Sequence, residues 1–478
     1  MPTAPLYRRL ADHYRSAIEA GSLQPGTRMP SLRSLMRVHE VSLSTALQVC
    51  RLLETEGWAE ARDRSGYFVR RPQRLRMTPM DEPLAGQRPD PAQYVGIHAR
   101  VSDFVSRRRQ AKIRPFLDLS IARAAPQLYP AEELRMALTR ALRHRPEMLS
   151  GVPPQQGELQ FRSVLAQRAV SAGMTLSPED VLVTNGCIEA LNLALRAVAQ
   201  PGDTIAVESP TFYGLLQVLE SLGLRALEIP TSPQTGLSIE ALTLALDTYD
   251  DIKAVVVVPH LQNPLGSVMP DAHKAGLVAL CEARGLALIE DDTYSELVDA
   301  DAPPRALKAW DQTGNVIHCA SLHKVLAPGL RLGWITAGRW QARVEMLKYT
   351  QTRNNEALAQ LGAGHFMATG AYDRHLRRLR SFLGVQRERT AEAVARYFPA
   401  QTRLNLPRGG LQLWIELPHQ RKSSDVFDAA LRDGILVAPG LLFSNSSRFD
   451  HFLRINCGWP YDAGIDRALK QLGSIVAG

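Results

Sequence analysis

Residues 316–337 read VIHCASLHKVLAPGLRLGWITA. Two apolar, β-rich runs, Val316–Ala320 and Leu332–Ala337, bracket a loop holding Ser321, His323 and Lys324, then Pro328, Gly329 and Arg331. Lysine is scarce in this chain, 8 against 48 arginines, so a lysine just past an apolar strand calls for a reason. A loop lysine taken alone is ordinarily a surface residue. This one has company. Ser321, three residues before it, and Arg331, seven after, can converge on a phosphate, the guanidinium acting as a two-pronged clamp. Lys324 in that loop is a candidate Schiff-base nucleophile.

The same pattern continues on both sides. Apolar runs recur at Val181–Thr184, Thr204–Val207, Ala254–Val258 and Leu286–Glu290, with helical periodicity over 188–199, 212–222 and 271–284. Continuous apolar strands alternating with helices predict an α/β body with a mostly parallel sheet covered on both faces. The first run leads into Asn185-Gly186-Cys187-Ile188, where glycine lets backbone N–H groups approach an anion at a helix N-terminus. Another ends in Glu290-Asp291-Asp292-Thr293-Tyr294, where a carboxylate can pair with a protonated ring nitrogen and keep that ring an electron sink. Beyond about residue 355 come helices and short strands at Leu411–Leu417, Ile435–Ala438 and Phe452–Asn456, which predict a smaller α+β lobe.

The N-terminus is of another kind. Leu6, Leu10, Tyr14, Ala17 and Ile18 recur at helical spacing over residues 5–20. Gly21 and Pro25-Gly26 break that helix, Ser31 can cap a second over Leu32–His39, and Ser42 a third running to about Glu56. On the third, Ala46, Val49, Cys50 and Leu53 share a core-facing side, and Ser44, Gln48 and Arg51 lie opposite, where they can approach a major groove. Ala59–Ala61 and Gly66–Val69 bracket a basic hairpin with Arg62 and Arg64. Three helices and a basic hairpin describe a winged helix-turn-helix.

Charge follows the same division. The net charge is +8, yet residues 1–114 hold 20 Lys+Arg and 11 Asp+Glu, and the rest 36 and 37. Such asymmetry suits a polyanion-binding region or simply a solvated basic face. Residues 72–114 carry five prolines and nine basic against four acidic residues. They predict a semi-flexible linker with a short basic helix over Val95–Lys112, its charge serving DNA backbone contact or solubility. At 45% hydrophobic and 22% charged the 478-residue chain is ordinary for globular domains. No apolar run reaches the ~18 residues of a membrane span, and Met1 to Arg8 hold no apolar segment that could act as a signal peptide. Five widely spaced cysteines form no metal-type pair. They predict a reduced, cytoplasmic protein without disulfides or a metal site.

Two resemblances gather these motifs. Residues 5–70 resemble the GntR-type winged helix through Leu6-Tyr7, Ile18-Glu19-Ala20-Gly21, Leu23 to Ser31, Arg33, Val41-Ser42, Ser44-Thr45 and Leu53-Glu54-Thr55-Glu56-Gly57. This implies Arg33, Ser42, Ser44 and Thr45 as DNA-contacting positions, beside Gln48, Arg62 and Arg64. Leu43 stands where the family often has arginine, which lowers the expected affinity per half-site. Residues 115–478 resemble fold-type I pyridoxal-phosphate aminotransferases through Thr184 to Cys187, Glu208 to Phe212, Asn263-Pro264-Leu265-Gly266, Glu290 to Tyr294, Ser321 to Lys324, Pro328 to Arg331, and Leu453-Arg454-Ile455-Asn456. This implies pyridoxal 5′-phosphate on Lys324 with Asp291 at the ring nitrogen. Asn263 and Tyr294 would meet the phenolic oxygen and Phe212 the ring face. Gly186, Cys187, Ser321 and Arg331 would hold the phosphate, and Arg454 a substrate carboxylate. Val152 replaces a tyrosine that in many relatives reaches the partner subunit's phosphate, and His323 replaces a common serine. Winged helix (1–71), linker (72–114) and aminotransferase-like body (large lobe about 115–355, small lobe about 356–478) together resemble the MocR subfamily of transcriptional regulators. That resemblance implies a homodimer on duplex DNA which senses the coenzyme or its adduct with an amino compound. The alternatives are a genuine aminotransferase with an auxiliary DNA-binding domain, and a sensor of the coenzyme alone.

Overall fold

The computed structural model describes residues 5–24, 26–55, 57–62, 65–70, 77–83, 89–111, 117–300 and 302–478. The N-terminal unit has helices α1 (Leu6–Glu19), α2 (Leu32–His39) and α3 (Leu43–Thr55), then an antiparallel hairpin of β1 (Ala59–Arg62) and β2 (Gly66–Val69). Ser31 accepts the Ser34 N–H at 3.2 Å and Ser42 accepts the Thr45 N–H at 3.2 Å, so both expected caps form. Ala46, Val49, Cys50 and Leu53 are buried against Ala11, Ile18 and Leu35. The winged-helix fold read from the N-terminal periodicity is thus the fold of this unit.

The linker differs from expectation over its second half. Strand β3 (Gln93–Tyr94) extends the edge of the large sheet, and α4 (His98–Ala111) buries Val101 and Phe104 in the body's core. Glu220 accepts the N–H groups of Ile97 and His98 at 2.6 and 2.7 Å and so anchors the start of α4. Arg107 pairs with Asp428 at 2.6 Å and Arg108 with Asp118 at 3.0 Å. Those two charges are therefore engaged inside the fold. The cause is legible afterwards: Val101 and Phe104, three apart, give the basic helix an apolar inner stripe.

The body follows as β4 (Leu117–Asp118), α5 (Ala131–His144), α6 (Leu159–Ala169), β5 (Leu182–Thr184), α7 (Cys187–Val198), β6 (Thr204–Ser209), α8 (Tyr213–Ser221), β7 (Arg225–Ser232), β8 (Gly236–Leu237), α9 (Ile239–Leu246), β9 (Ile252–Val257), α10 (Asp271–Ala283), β10 (Ala287–Asp291), β11 (Val316–Ser321) and β12 (Gly333–Thr336). The large sheet has the order β3-β7-β6-β9-β10-β11-β12-β5. From β7 to β11 it is parallel, and β12 runs antiparallel to both β11 and β5. The loop between β11 and β12 is too short for the crossover that a parallel partner needs, so the strand turns back. Strand β7 escapes a reading by apolar runs because Arg225, Glu228 and Pro230 interrupt Ala226, Leu227 and Ile229. The sheet's two faces are covered by separate apolar clusters, Ile205, Val207, Val256 and Ile289 on one side and Ala206, Val255, Val257 and Leu288 on the other. Each valine, leucine or isoleucine so buried contributes about 1.5–3 kcal/mol relative to exposure.

Helices α11 (Gln341–Gln351), α12 (Ala357–Met367) and the long α13 (Gly370–Tyr397) lead to the small lobe: β13 (Arg403–Leu404), β14 (Gln412–Glu416), α14 (Ser423–Arg432), β15 (Ile435–Leu436), β16 (Ala438–Pro439), β17 (Phe452–Asn456) and α15 (Ala463–Ala477). Its sheet has the order β13-β14-β17-β16, while β15 pairs in parallel with β4. Leu117–Asp118 thus joins the small lobe, from the far side of the large sheet in sequence. Among the described residues no helix is long and apolar enough to cross a membrane.

Candidate functional site

At the C-terminal ends of β10 and β11 lies a cavity of about 140 Å³. Gly186 and Cys187 from the β5–α7 turn, Phe212, Asn263, Asp291, Tyr294, Ser321, Lys324 and Arg331 all line it, together with Ile188, Val258, Thr293 and His323. The nine cofactor positions expected from the motifs thus face one space, brought there by five separate connections of the sheet.

Lys324 donates to the Ala122 carbonyl at 2.6 Å and its Nζ stands 5.5 Å from the centre of the Tyr294 ring. Burial, followed by the nearby Arg454 charge, brings its pKa down to about 7, against the pull of Asp291. Burial raises Tyr294 above the ordinary phenol range, with Arg454 and Asn263 beside its hydroxyl opposing. His323 is held down to about 4 by burial and then by the Lys324 and Arg331 charges, so it is neutral at physiological pH.

One end of the cavity is built for an anion. Gly186 has φ +85° and precedes the first turn of α7, whose N–H groups open toward the space. Arg331, itself left-handed at φ +54°, donates from Nη2 to the Asn185 carbonyl at 3.1 Å. A Cβ on Gly186 would come within 3.0 Å of that guanidinium, so both the φ and the close approach require glycine.

Asp291 forms the opposite end. Its Oδ1 accepts from the Thr293 hydroxyl at 2.6 Å, the Thr293 N–H at 3.2 Å and the Cys187 thiol at 3.2 Å. Cys187 therefore turns its side chain to Asp291; only its backbone N–H is left for a phosphate. Burial raises Asp291 above the usual carboxylate range, and the Thr293 hydroxyl is the first of the groups opposing it. Thr293 is the functional neighbour that motif reading passed over. A hydroxyl two residues after a strand-end carboxylate was the available signal.

Arg454 lies on β17 just beyond the cavity wall. It donates to Asn263 Oδ1 at 2.9 Å and to the Ser120 carbonyl at 2.6 Å, and its Cζ is 4.9 Å from the centre of the Phe443 ring. It thus steers Asn263, a connection no spacing could disclose. On the other face of β10 the picture is closed. His260 and His318 hold Asp292 at 2.6 and 3.2 Å, and Glu290 accepts the Leu307 and Lys308 N–H groups at 2.8 and 3.1 Å. His260, Glu290 and Asp292 are near enough together for a metal ion, but these bonds already occupy them.

On the winged helix, Arg33, Ser42, Ser44, Gln48 and Arg51 are exposed and Thr45 is half-buried. The Ser42 hydroxyl also stands 2.8 and 3.0 Å from the Ser44 and Thr45 hydroxyls. Arg62 ends β1, and Arg64 lies outside the described residues.

Known proteins match both parts. The model for aminotransferase class I and II covers residues 122–472, and that for bacterial regulatory proteins of the gntR family covers residues 6–69. The HTH-type transcriptional regulators YdcR and YjiR of Escherichia coli (strain K12) are each 37% identical over 472 residues, 98% of this chain and 98% of theirs. Among solved structures, LysN, an α-aminoadipate aminotransferase from Thermus thermophilus complexed with N-(5′-phosphopyridoxyl)-L-leucine, is 26% identical with a TM-score of 0.71. The match spans 79% of this chain and 97% of that one. With a gntR-type winged helix ahead of a class I and II aminotransferase domain, and full-length likeness to HTH-type regulators, the chain belongs to the MocR-type transcriptional regulators.

Proposed function

We propose that this protein is a DNA-binding transcriptional regulator whose body binds pyridoxal 5′-phosphate and responds to an amino-acid-like ligand. The observation that carries this reading is the convergence of Lys324, Asp291, Ser321 and Arg331 on one cavity, in a chain that also presents an exposed helix face for DNA. The donor set suits the coenzyme at each end. A glycine cradle with a clamping arginine matches a phosphate, and a carboxylate with one oxygen already saturated leaves Oδ2 for a cationic ring nitrogen. When bound, the coenzyme supplies an electrophilic carbon and an electron-sink ring.

The chain's own residues do the rest. With a pKa of about 7, Lys324 presents a substantial fraction of neutral amine at neutral pH. Asp291 keeps a proton on the ring nitrogen. Ser321, Arg331 and the first N–H groups of α7 hold the phosphate. Arg454 takes an α-carboxylate, its guanidinium already aligned by Asn263 and Ser120. We place the protein in the cytoplasm, where its five buried, unpaired cysteines stay reduced. It acts as a homodimer; Leu149 and Val152, 73% and 87% exposed, lie on a segment against the β5 edge and suit a partner subunit's surface.

Borohydride reduction of the holoprotein followed by mass mapping tests the cofactor assignment. The label is expected on Lys324, and a label on another lysine, or none, overturns it. A second reading, a working aminotransferase with an auxiliary DNA-binding domain, is favoured by the intact Lys324, Asp291 and Arg454. Multiple turnover with an amino donor and a keto acceptor would establish it; a stoichiometric response coupled to promoter occupancy favours the regulator.

A further inference from the structure

Helix α13 buries Tyr372, Leu376, Leu379, Leu383 and Gln386 along its inner face. The winged helix rests on the outer face near the other end. Helix α3 packs against α13, Arg70 pairs with Glu392, and the Arg70 charge also bears on Glu388. Eighteen residues, five helical turns, separate Arg374 from Glu392, which puts them on one line of the helix about 27 Å apart. Arg377 and Arg378 flank that line. All three arginines are exposed, and none has an ion-pair or hydrogen-bond partner among the described residues. Their neighbours are engaged: Arg168 holds Glu296 and Asp373, Arg380 donates to the Glu296 carbonyl, and Arg387 pairs with Asp299. On α4, Arg107 and Arg108 are likewise held by Asp428 and Asp118, while Arg109 is exposed.

We infer that Arg374, Arg377 and Arg378 form a second phosphate-binding surface for the duplex held by the winged helix. The inference rests on the winged helix binding DNA. A duplex seated on α3 lies beside α13, because α3 itself packs on that helix. The distance of about 27 Å to Arg374 is less than one turn of duplex, ~34–36 Å, so flanking backbone is within reach. Three unpaired cations within about 6 Å of helical rise, in a body of 36 basic and 37 acidic residues, make a local basic patch that suits a polyanion. Contacts to phosphate carry no sequence information, so this surface adds affinity and fixes the path of the DNA.

The test compares duplexes of arbitrary sequence, about 7 and about 40 base pairs long, the shorter spanning about 24 Å and so less than the distance to Arg374. Affinity of the full-length holoprotein is measured against salt concentration for wild type and for the triple variant R374Q/R377Q/R378Q. On the long duplex the variant's slope of log affinity against log salt flattens by roughly 2.7, three contacts at about 0.9 each. On the short duplex it is unchanged. The triple lysine variant keeps the wild-type slope on both, since charge is what the contact needs. An unchanged slope on the long duplex overturns the inference, and equal flattening on both overturns its location. Wild type binding neither duplex would instead remove the DNA-binding reading itself. An unaltered coenzyme spectrum and melting temperature in the variants keep misfolding out of the comparison.

Discussion

In the winged helix, Ser44, Gln48 and Arg51 stand on successive turns of α3, exposed, over a core made by the same helix. In the body, Asp291, Lys324 and Arg454 come from distant segments and meet through hydrogen bonds to Thr293, Ala122, Asn263 and Ser120. The first surface presents its polar groups to water. The second has groups out of water whose charges are already perturbed by one another. Substitution on the first should therefore alter binding with little effect on stability, and substitution in the second should alter ionisation, positioning and stability together.

The largest expected effects break the molecule along that division. Removing residues 1–70 should abolish selective DNA binding and leave the coenzyme spectrum as it was. Lys324→Ala should abolish borohydride labelling and leave salt-sensitive DNA binding in place. Band-shift titration and absorption spectra of both proteins check this. Loss of both functions from either change would mean that the Arg70–Glu392 contact makes the two parts one cooperative unit. Lys324 also gives a pH test on the coenzyme-free protein. Its folded pKa of about 7 lies below the ordinary 10.5, so the unfolded chain binds the extra proton between those values. Stability from this group is therefore fully present above 10.5 and lost as pH falls through about 7. The melting temperature of wild type should gain more than that of Lys324→Ala between about pH 7 and 9; equal gains would show the lysine to be solvated.

Arg454 gives a smaller and more divided effect. Arg454→Ala should weaken the response to α-amino acids by about 1.5–3 kcal/mol, the scale of a hydrogen bond to a charged group. Its decarboxylated analogue should be affected less. The Asn263 bond adds a consequence beyond the carboxylate: the alanine variant frees Asn263 Oδ1 and the Ser120 carbonyl, so coenzyme affinity should fall as well. Arg454→Lys retains a cation but not the fork, and should recover coenzyme affinity before ligand response. Spectral titrations of both variants with an amino acid and the matching amine separate the two roles. Equal loss for both ligands would make Arg454 structural alone.

The strands and helices of the body are legible in the sequence because buried parallel strands are continuous apolar runs; β10 and β11 differ from their expected ends by a residue. The antiparallel turn of β12 is hidden because strand direction depends on the length of a loop, not on the strand's residues. Strand β7 is hidden by Arg225, Glu228 and Pro230. In the cavity, motif order supplies nine lining residues at once. Thr293 and the turn of the Cys187 thiol toward Asp291 are not legible, because which neighbour a hydroxyl or thiol chooses depends on the assembled backbone. The docking of α4 escapes for a related reason: a Pro-containing, basic segment reads as solvated until Val101 and Phe104 find a surface to cover.

Ser42 carries the smallest effect and tests the comparison at its weakest point, since it is expected both to cap α3 and to touch DNA. Its hydroxyl accepts the Thr45 N–H at 3.2 Å, at the third position of α3. That bond satisfies one of the helix's open N–H groups, and its loss with Ser42→Ala should cost about 1 kcal/mol of winged-helix stability. Ser42→Asp can accept the same N–H and adds a negative charge where the helix dipole favours one, so stability should return to the wild-type level or above it. Facing a phosphate, however, the same charge is repelled. Ser42→Asn restores the cap without the charge. If Ser42 faces DNA, the aspartate variant melts like wild type and binds DNA markedly more weakly, while the asparagine variant melts and binds near wild type. If the residue only caps, DNA affinity should follow melting temperature across all three variants. Thermal melts of residues 1–70 within the full-length protein, set beside duplex affinity at fixed salt, distinguish these outcomes, because a capping role moves stability and binding together and a DNA-facing role separates them.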